Sequence, residues 1–175
     1  MTIGRISRIA LLVSLAVFAF AIVGVSGGRT PASRPGAGAR EGHCTQVGGM
    51  IMTNFGAIDQ NTTMGPATGD LRGAVSGTLL GAPQPSAGNT LVFHIQHHWV
   101  TESGDTLFFD PATATTVPLS QTLFAIVTYP VHLKGGTGKF AGATGDLTGI
   151  GEVDLSNGTV FRYSGQVCFA PQDKD

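Results

Sequence analysis

The sequence predicts an all-β domain that closes as a barrel or stacks as a sandwich. Apolar residues come in short runs that alternate with polar residues, and Gly, Pro, Asn and Asp separate the runs. No segment after residue 43 has the apolar period of a long amphipathic helix. Seven or eight short strands in one domain are typical of both architectures. The expected strands are Cys44–Thr53, Leu71–Leu80, Thr90–Glu102, Thr106–Phe109, Leu119–Leu133, Phe140–Gly142, Leu147–Leu155 and Thr159–Phe169.

The N-terminus predicts export. A short basic stretch precedes the uncharged apolar run Ile9–Val25, which as a helix is slightly shorter than a ~30 Å hydrocarbon core. We therefore expect residues 1–27 to be a cleaved secretory signal and the protein to be secreted or extracytoplasmic. An uncleaved N-terminal anchor is the alternative. Residues 28–42 predict a flexible Gly/Ala/Pro linker, residues 43–175 form the domain, and no stable membrane span is expected after cleavage.

Composition excludes several classes of protein. The chain has 175 residues, of which 42% are hydrophobic, 12% are charged and 26 are glycine, and its net charge is −1. This apolar content is too high for a mostly disordered chain. The sequence also lacks the Gly-X-Y repeat that collagen requires. The absence of a basic stripe argues against nucleic acid as the main partner.

The clearest strand, Thr90–Glu102, separates its side chains into two faces, because successive residues in a strand point to opposite sides. We expect the more apolar face to be the interior. Its members are Leu91, Phe93, Ile95, His97 and Trp99. The same alternation directs Phe161 and Tyr163 inward from the last strand. Pro130 interrupts Leu119–Leu133, and we expect an edge, a bulge or a strand break there.

The two cysteines predict one disulfide. Cys44 lies near the start of the domain and Cys168 near its end, and the first and last strands of a closed barrel are neighbours. An oxidising compartment favours pairing. Two free thiols are the alternative, although neither residue has the Cys-x-x-Cys partner that redox catalysis commonly uses.

The segment Gly135–Gly145, GGTGKFAGATG, resembles one found in the allene oxide cyclase and dirigent superfamily, and the similarity extends over Leu123–Phe169. The resemblance implies a closed antiparallel eight-stranded, calycin-like β-barrel with an apolar interior. Plant relatives cyclise an unstable epoxide or steer radical coupling, mainly through a shaped cavity and a few polar groups. Relatives are often dimers or trimers, so a homo-oligomer is compatible with the resemblance. The same glycines fail the dinucleotide and Walker patterns, and we expect a tight turn with Phe140 inward.

Few residues stand out as chemical groups. The candidate catalytic residues are His97 and Tyr163, since a buried imidazole can serve as an acid or base; a hydrogen-bonded core histidine is the alternative for His97. We expect no metal site, because His94 and His98 share a face but lie too far apart to bind one ion, and we expect no cofactor. The candidate ligand-lining residues are Phe93, Ile95, Trp99, Tyr129 and Phe161.

Three functions fit this reading. The first is a barrel that binds a small apolar molecule in its lumen. The second is a cofactor-free cyclase or isomerase that uses the same cavity. The third is a structural or surface-interaction barrel with a filled core. The sequence leaves open whether the protein is an enzyme, and it does not identify the ligand.

Overall fold

The computed structural model describes residues 42–171, which form eleven strands and one short helix. The predicted signal, residues 1–27, and nearly all of the predicted linker, residues 28–42, lie outside the described residues and stay predictions. In chain order the elements are β1 (His43–Phe55), β2 (Thr62–Ala67), β3 (Gly73–Leu79), β4 (Gln84–Pro85), β5 (Leu91–Thr101), β6 (Thr106–Phe109), β7 (Ala112–Pro118), β8 (Leu123–Thr128), β9 (Pro130–Gly136), a 3₁₀ turn (Gly138–Phe140), β10 (Thr144–Asp154) and β11 (Gly158–Phe169).

The strands form one antiparallel sheet that closes on itself. β11 pairs with β1, and the ring continues through β2, β3 and β5. On the edge of β5 that faces away from β3, both β6 and β7 pair with it. Further around the ring, β8 and β9 both pair with β10, and β10 pairs with β11. The two-residue β4 lies beside β5. The eleven strands therefore fill the eight positions of a closed barrel, which confirms the predicted fold class.

The disulfide is also confirmed. Cys44 and Cys168 are directly opposite each other in the register of β1 and β11, and they are bonded. The covalent bond therefore crosses the pairing that joins the first and last strands of the barrel.

One expected strand was wrong, and another is divided at the break that was expected at Pro130. The segment Leu119–Leu133 is divided into β8 and β9, which are separated at Tyr129 because Pro130 has no N–H to continue the ladder. The segment Phe140–Gly142 is not a strand. Phe140 ends the 3₁₀ turn and is 1% exposed, as expected for an inward residue of a tight turn.

Three strands were absent from the sequence prediction: the two-residue β4 and the longer β2 and β7. β2 has the sequence TTMGPA, in which Gly65 and Pro66 resemble a loop. Gly65 is required by the pairing, since a Cβ atom there would collide with the carbonyl oxygen of Met52 in β1. β7, Ala112–Pro118, alternates Ala with Thr and so has only a weak apolar pattern.

Candidate ligand-binding cavity

One half of the barrel interior is closely packed and the other half is partly open. In the packed half the ring of Trp99 lies 5.3 Å from that of Tyr163 and 6.0 Å from that of Phe109, measured between centroids. The open half lies toward the end of the barrel where β1, β3, β7 and β10 finish.

The open half contains a cavity of about 60 Å³, measured as the space open to the centre of a water molecule. A single water needs roughly 10–15 Å³ by this measure, so the cavity has room for several small groups. None of the described Asp, Glu, Lys or Arg residues lines it. Its lining consists of Ile51, Thr53, Phe55, Thr63, Val75, Gly77, Leu79, Phe93, Ile95, His97, Ala114, Thr116, Ile126, Tyr129, Val153, Thr159 and Phe161.

The space exists because two lining positions carry small residues. Gly77 is opposite His97 in the pairing of β3 with β5, and Ala114 is opposite Phe93 in the pairing of β5 with β7. A large side chain at either position would fill the volume that now separates the aromatic rings. The local sequence therefore leaves this half of the lumen unfilled.

The threonine hydroxyls of the cavity are already hydrogen-bonded. Thr53 and Thr159 share a 2.7 Å hydrogen bond, and the hydroxyl of Thr116 donates to the carbonyl oxygen of Leu91. Thr63 donates to the carbonyl of Gly77 at 3.4 Å. Because these hydroxyls already have partners, the free hydrogen-bonding capacity of the cavity lies elsewhere.

That capacity lies in His97 and Tyr129. The Nε2 atom of His97 and the hydroxyl of Tyr129 are 2.6 Å apart and hydrogen-bonded. Burial lowers the pKa of His97 from its ordinary 6.5 to about 4, and burial raises the pKa of Tyr129. Both groups are therefore neutral at pH 7. The other ring nitrogen of His97, Nδ1, is buried and has no hydrogen-bond partner among residues 42–171.

The structure brings together some of the predicted site residues and separates others. Phe93, Ile95, His97, Tyr129 and Phe161 all line the cavity. Trp99 and Tyr163 do not; they border a smaller void of about 20 Å³ in the packed half. The Nε1 atom of Trp99 donates to the carbonyl of Leu71 at 2.8 Å.

Tyr163 uses its hydroxyl to hold the main chain. The hydroxyl accepts a hydrogen bond from the N–H of Leu71 and donates to the carbonyl of Thr68, both at 2.9 Å. The group that contacts His97 is instead Tyr129, which the sequence suggested only as a lining residue. The catalytic roles of His97 and Tyr163 stay predictions.

Tyr163→Phe is expected to lower the free energy of unfolding by about 1–3 kcal/mol, because it leaves the N–H of Leu71 and the carbonyl of Thr68 without this partner. Urea unfolding followed by circular dichroism measures the change. The matched control is Thr113→Val, which removes an exposed hydroxyl bonded to His94 and should stay within about 0.5 kcal/mol. Equal midpoints for the two variants would contradict the structural role of Tyr163.

Within residues 42–171, no cluster of three or more His, Cys, Asp or Glu side chains is arranged to hold a metal ion. Over the same residues, no helix has the length and apolar character needed to cross a membrane.

The fold and the cavity define the class of this protein: it is a closed eight-stranded antiparallel β-barrel with an internal apolar cavity. Among solved structures it is similar to the pterocarpan synthase dirigent protein GePTS1 at 15% sequence identity and a TM-score of 0.32, over 81% of this chain and 98% of that one. A scan against protein-family models and a search of curated proteins found no match. The superfamily membership that Gly135–Gly145 suggests stays a prediction.

Proposed function

We propose that this protein is an exported barrel that binds a small, neutral and mostly apolar molecule in the open half of its lumen. The observation that carries the proposal is the cavity itself, whose lining is apolar apart from bonded threonines and the neutral His97–Tyr129 pair. Cavities of this composition favour ligands that bury apolar surface and use a few polar groups for orientation.

The lining also indicates the charge of the ligand. A carboxylate or an ammonium group in this cavity would be buried without an opposite charge, which costs several kcal/mol. A neutral hydroxyl, ether or carbonyl group faces a smaller cost if it can hydrogen-bond near His97 or Tyr129. We therefore propose a ligand with a single neutral polar group on an apolar frame.

Export is supported by the disulfide. Disulfides persist in oxidising compartments and are rare in the cytosol, where thiols are kept reduced. The bond between Cys44 and Cys168 therefore fits the secreted or extracytoplasmic location that the N-terminal sequence predicts.

Toluene, phenol and benzoate test the ligand class, because they share a ring of one size and differ in polarity and charge. We expect toluene and phenol to raise the melting temperature by an amount that grows with the ratio of ligand concentration to Kd, and benzoate to raise it much less. Ala114→Leu should weaken binding of phenol at least ~10-fold by occupying the cavity.

The matched control is Ala74→Leu, which adds the same side chain to an exposed position of β3 and should leave binding unchanged. Each variant is compared with its own ligand-free melting temperature, so that a change in stability is not read as a change in binding. The proposal fails if none of the neutral compounds binds, or if Ala114→Leu binds phenol as tightly as the unaltered protein.

A second candidate function, a cofactor-free isomerase or cyclase, is favoured by the His97–Tyr129 pair. A neutral buried imidazole can accept a proton, and a neighbouring phenol can donate a hydrogen bond to a developing negative charge. Native mass spectrometry of the protein as recovered from its host would identify a bound molecule. Conversion of that molecule to an isomer by the protein, lost in His97→Phe, would favour the enzyme; its unchanged release would favour the binding barrel.

A further inference from the structure

The outer surface of five adjacent strands carries a row of exposed apolar side chains. These six residues are between 41% and 54% exposed and are called here the apolar face: Met50, Met52, Met64, Val127, Ile150 and Val160. They lie on β1, β2, β8, β10 and β11, which follow one another around the barrel. Large exposed apolar patches on soluble proteins commonly mark interaction sites.

The strand register shows that the apolar face is continuous. Met52 is directly opposite Val160 across the pairing of β1 with β11. Met50 and Ile150 are opposite the same residue, Arg162, from the two sides of β11. The apolar side chains therefore surround the outward positions of β11.

Two charged residues lie among these apolar side chains, and they have opposite signs. Arg162 lies between Met50 and Ile150, while Glu152 is opposite Val160 in the pairing of β10 with β11. The two positions are diagonal neighbours on adjacent strands, about 7–8 Å apart. Neither residue takes part in an ion pair among the described residues, in which the basic side chains of Arg72 and Lys134 pair with Glu102 and Asp110.

We propose that the apolar face is the contact surface of a two-fold symmetric homodimer. In such a dimer the same surface meets itself, so a residue of one subunit contacts a different residue of the other and the reverse contact follows by symmetry. A two-fold axis between the diagonal positions sets Arg162 against Glu152 of the partner subunit, and Glu152 against Arg162 of the partner subunit.

A second copy of the chain fits this face better than a charged partner would. The face contains one positive and one negative group, so it is complementary to itself and has no excess charge to recognise an acidic or basic surface. Methionine and arginine are enriched at protein interfaces, and three of the six apolar residues are methionines with Arg162 among them.

Charge reversal tests the pairing. The whole chain is expressed and recovered from its host, and its mass is followed by sedimentation velocity over a range of concentrations. We expect a dimer. Arg162→Glu and Glu152→Arg should each weaken dimerisation at least ~10-fold, because each places like charges together. The double variant R162E/E152R should restore the dimer, which a merely destabilising substitution would not do.

Met52→Lys tests the apolar contact and should give a monomer with an unchanged circular dichroism spectrum. The matched control is Phe108→Lys, since Phe108 is 44% exposed on the outside of β6, on the wall opposite β1, and should remain dimeric when changed. A protein that is monomeric throughout overturns the proposal, as does a dimer that survives Met52→Lys. A double charge variant as monomeric as the single ones overturns the assigned ion pair.

Discussion

Replacement of Cys44 and Cys168 by serine is expected to lower the free energy of unfolding by about 4–5 kcal/mol. The bond joins residues 124 positions apart, so its loss releases a long loop in the unfolded chain and raises the entropy of that state. The folded barrel should persist, because β1 and β11 also pair through their main chains from His43 and Phe169 to Asn54 and Gly158. Urea unfolding of the oxidised protein and of the double variant measures the difference.

Reduction of the unaltered protein provides the internal control for the cysteine variant. The reduced protein and the C44S/C168S variant lack the same constraint, so their unfolding midpoints should agree with each other and lie below that of the oxidised protein. A midpoint that does not move on reduction would show that the β1–β11 ladder closes the barrel without help from the disulfide.

The sequence predicted the barrel wall most reliably where large and polar residues alternate. The run from Leu91 to Trp99 identified one inward face, and the structure places Phe93, Ile95 and Trp99 among the buried residues. The burial of Phe140 in its turn followed from the glycines around it. β2 and β7 were missed because small residues, Gly, Pro, Ala and Thr, carry little apolar signal even where their positions are buried.

The polar pair of the cavity was harder to predict than the wall. His97 and Tyr129 are 32 residues apart, and they belong to parts of the wall that do not pair with each other. Their contact crosses the lumen and depends on barrel closure and on the strand break at Pro130. No spacing rule along the chain contains that information. The break itself was a usable signal, since it marked Tyr129 as a residue outside a regular ladder.

The pH dependence of stability should report on the buried imidazole of His97, whose pKa is lowered by burial to about 4. Between pH 6.5 and about 4 the unfolded chain binds a proton at this residue and the folded barrel does not, so stability is full above pH 6.5 and falls as the pH decreases. The loss should reach about 3 kcal/mol near the lower limit. Hydrogen bonds from Ser156 lower the pKa of Asp154 to about 2, so the effect of that carboxylate on stability falls below this pH window.

Urea unfolding across this pH range measures how the free energy of unfolding changes with pH. The slope should be present in the unaltered protein and in His98→Gln, which changes an exposed histidine on the same strand, and it should be much smaller in His97→Phe. The comparison uses slopes because His97→Phe also leaves the Tyr129 hydroxyl without its partner and so lowers stability at every pH. A slope that His97→Phe retains would mean that the imidazole is protonated inside the folded barrel, which would also remove the argument for a neutral cavity.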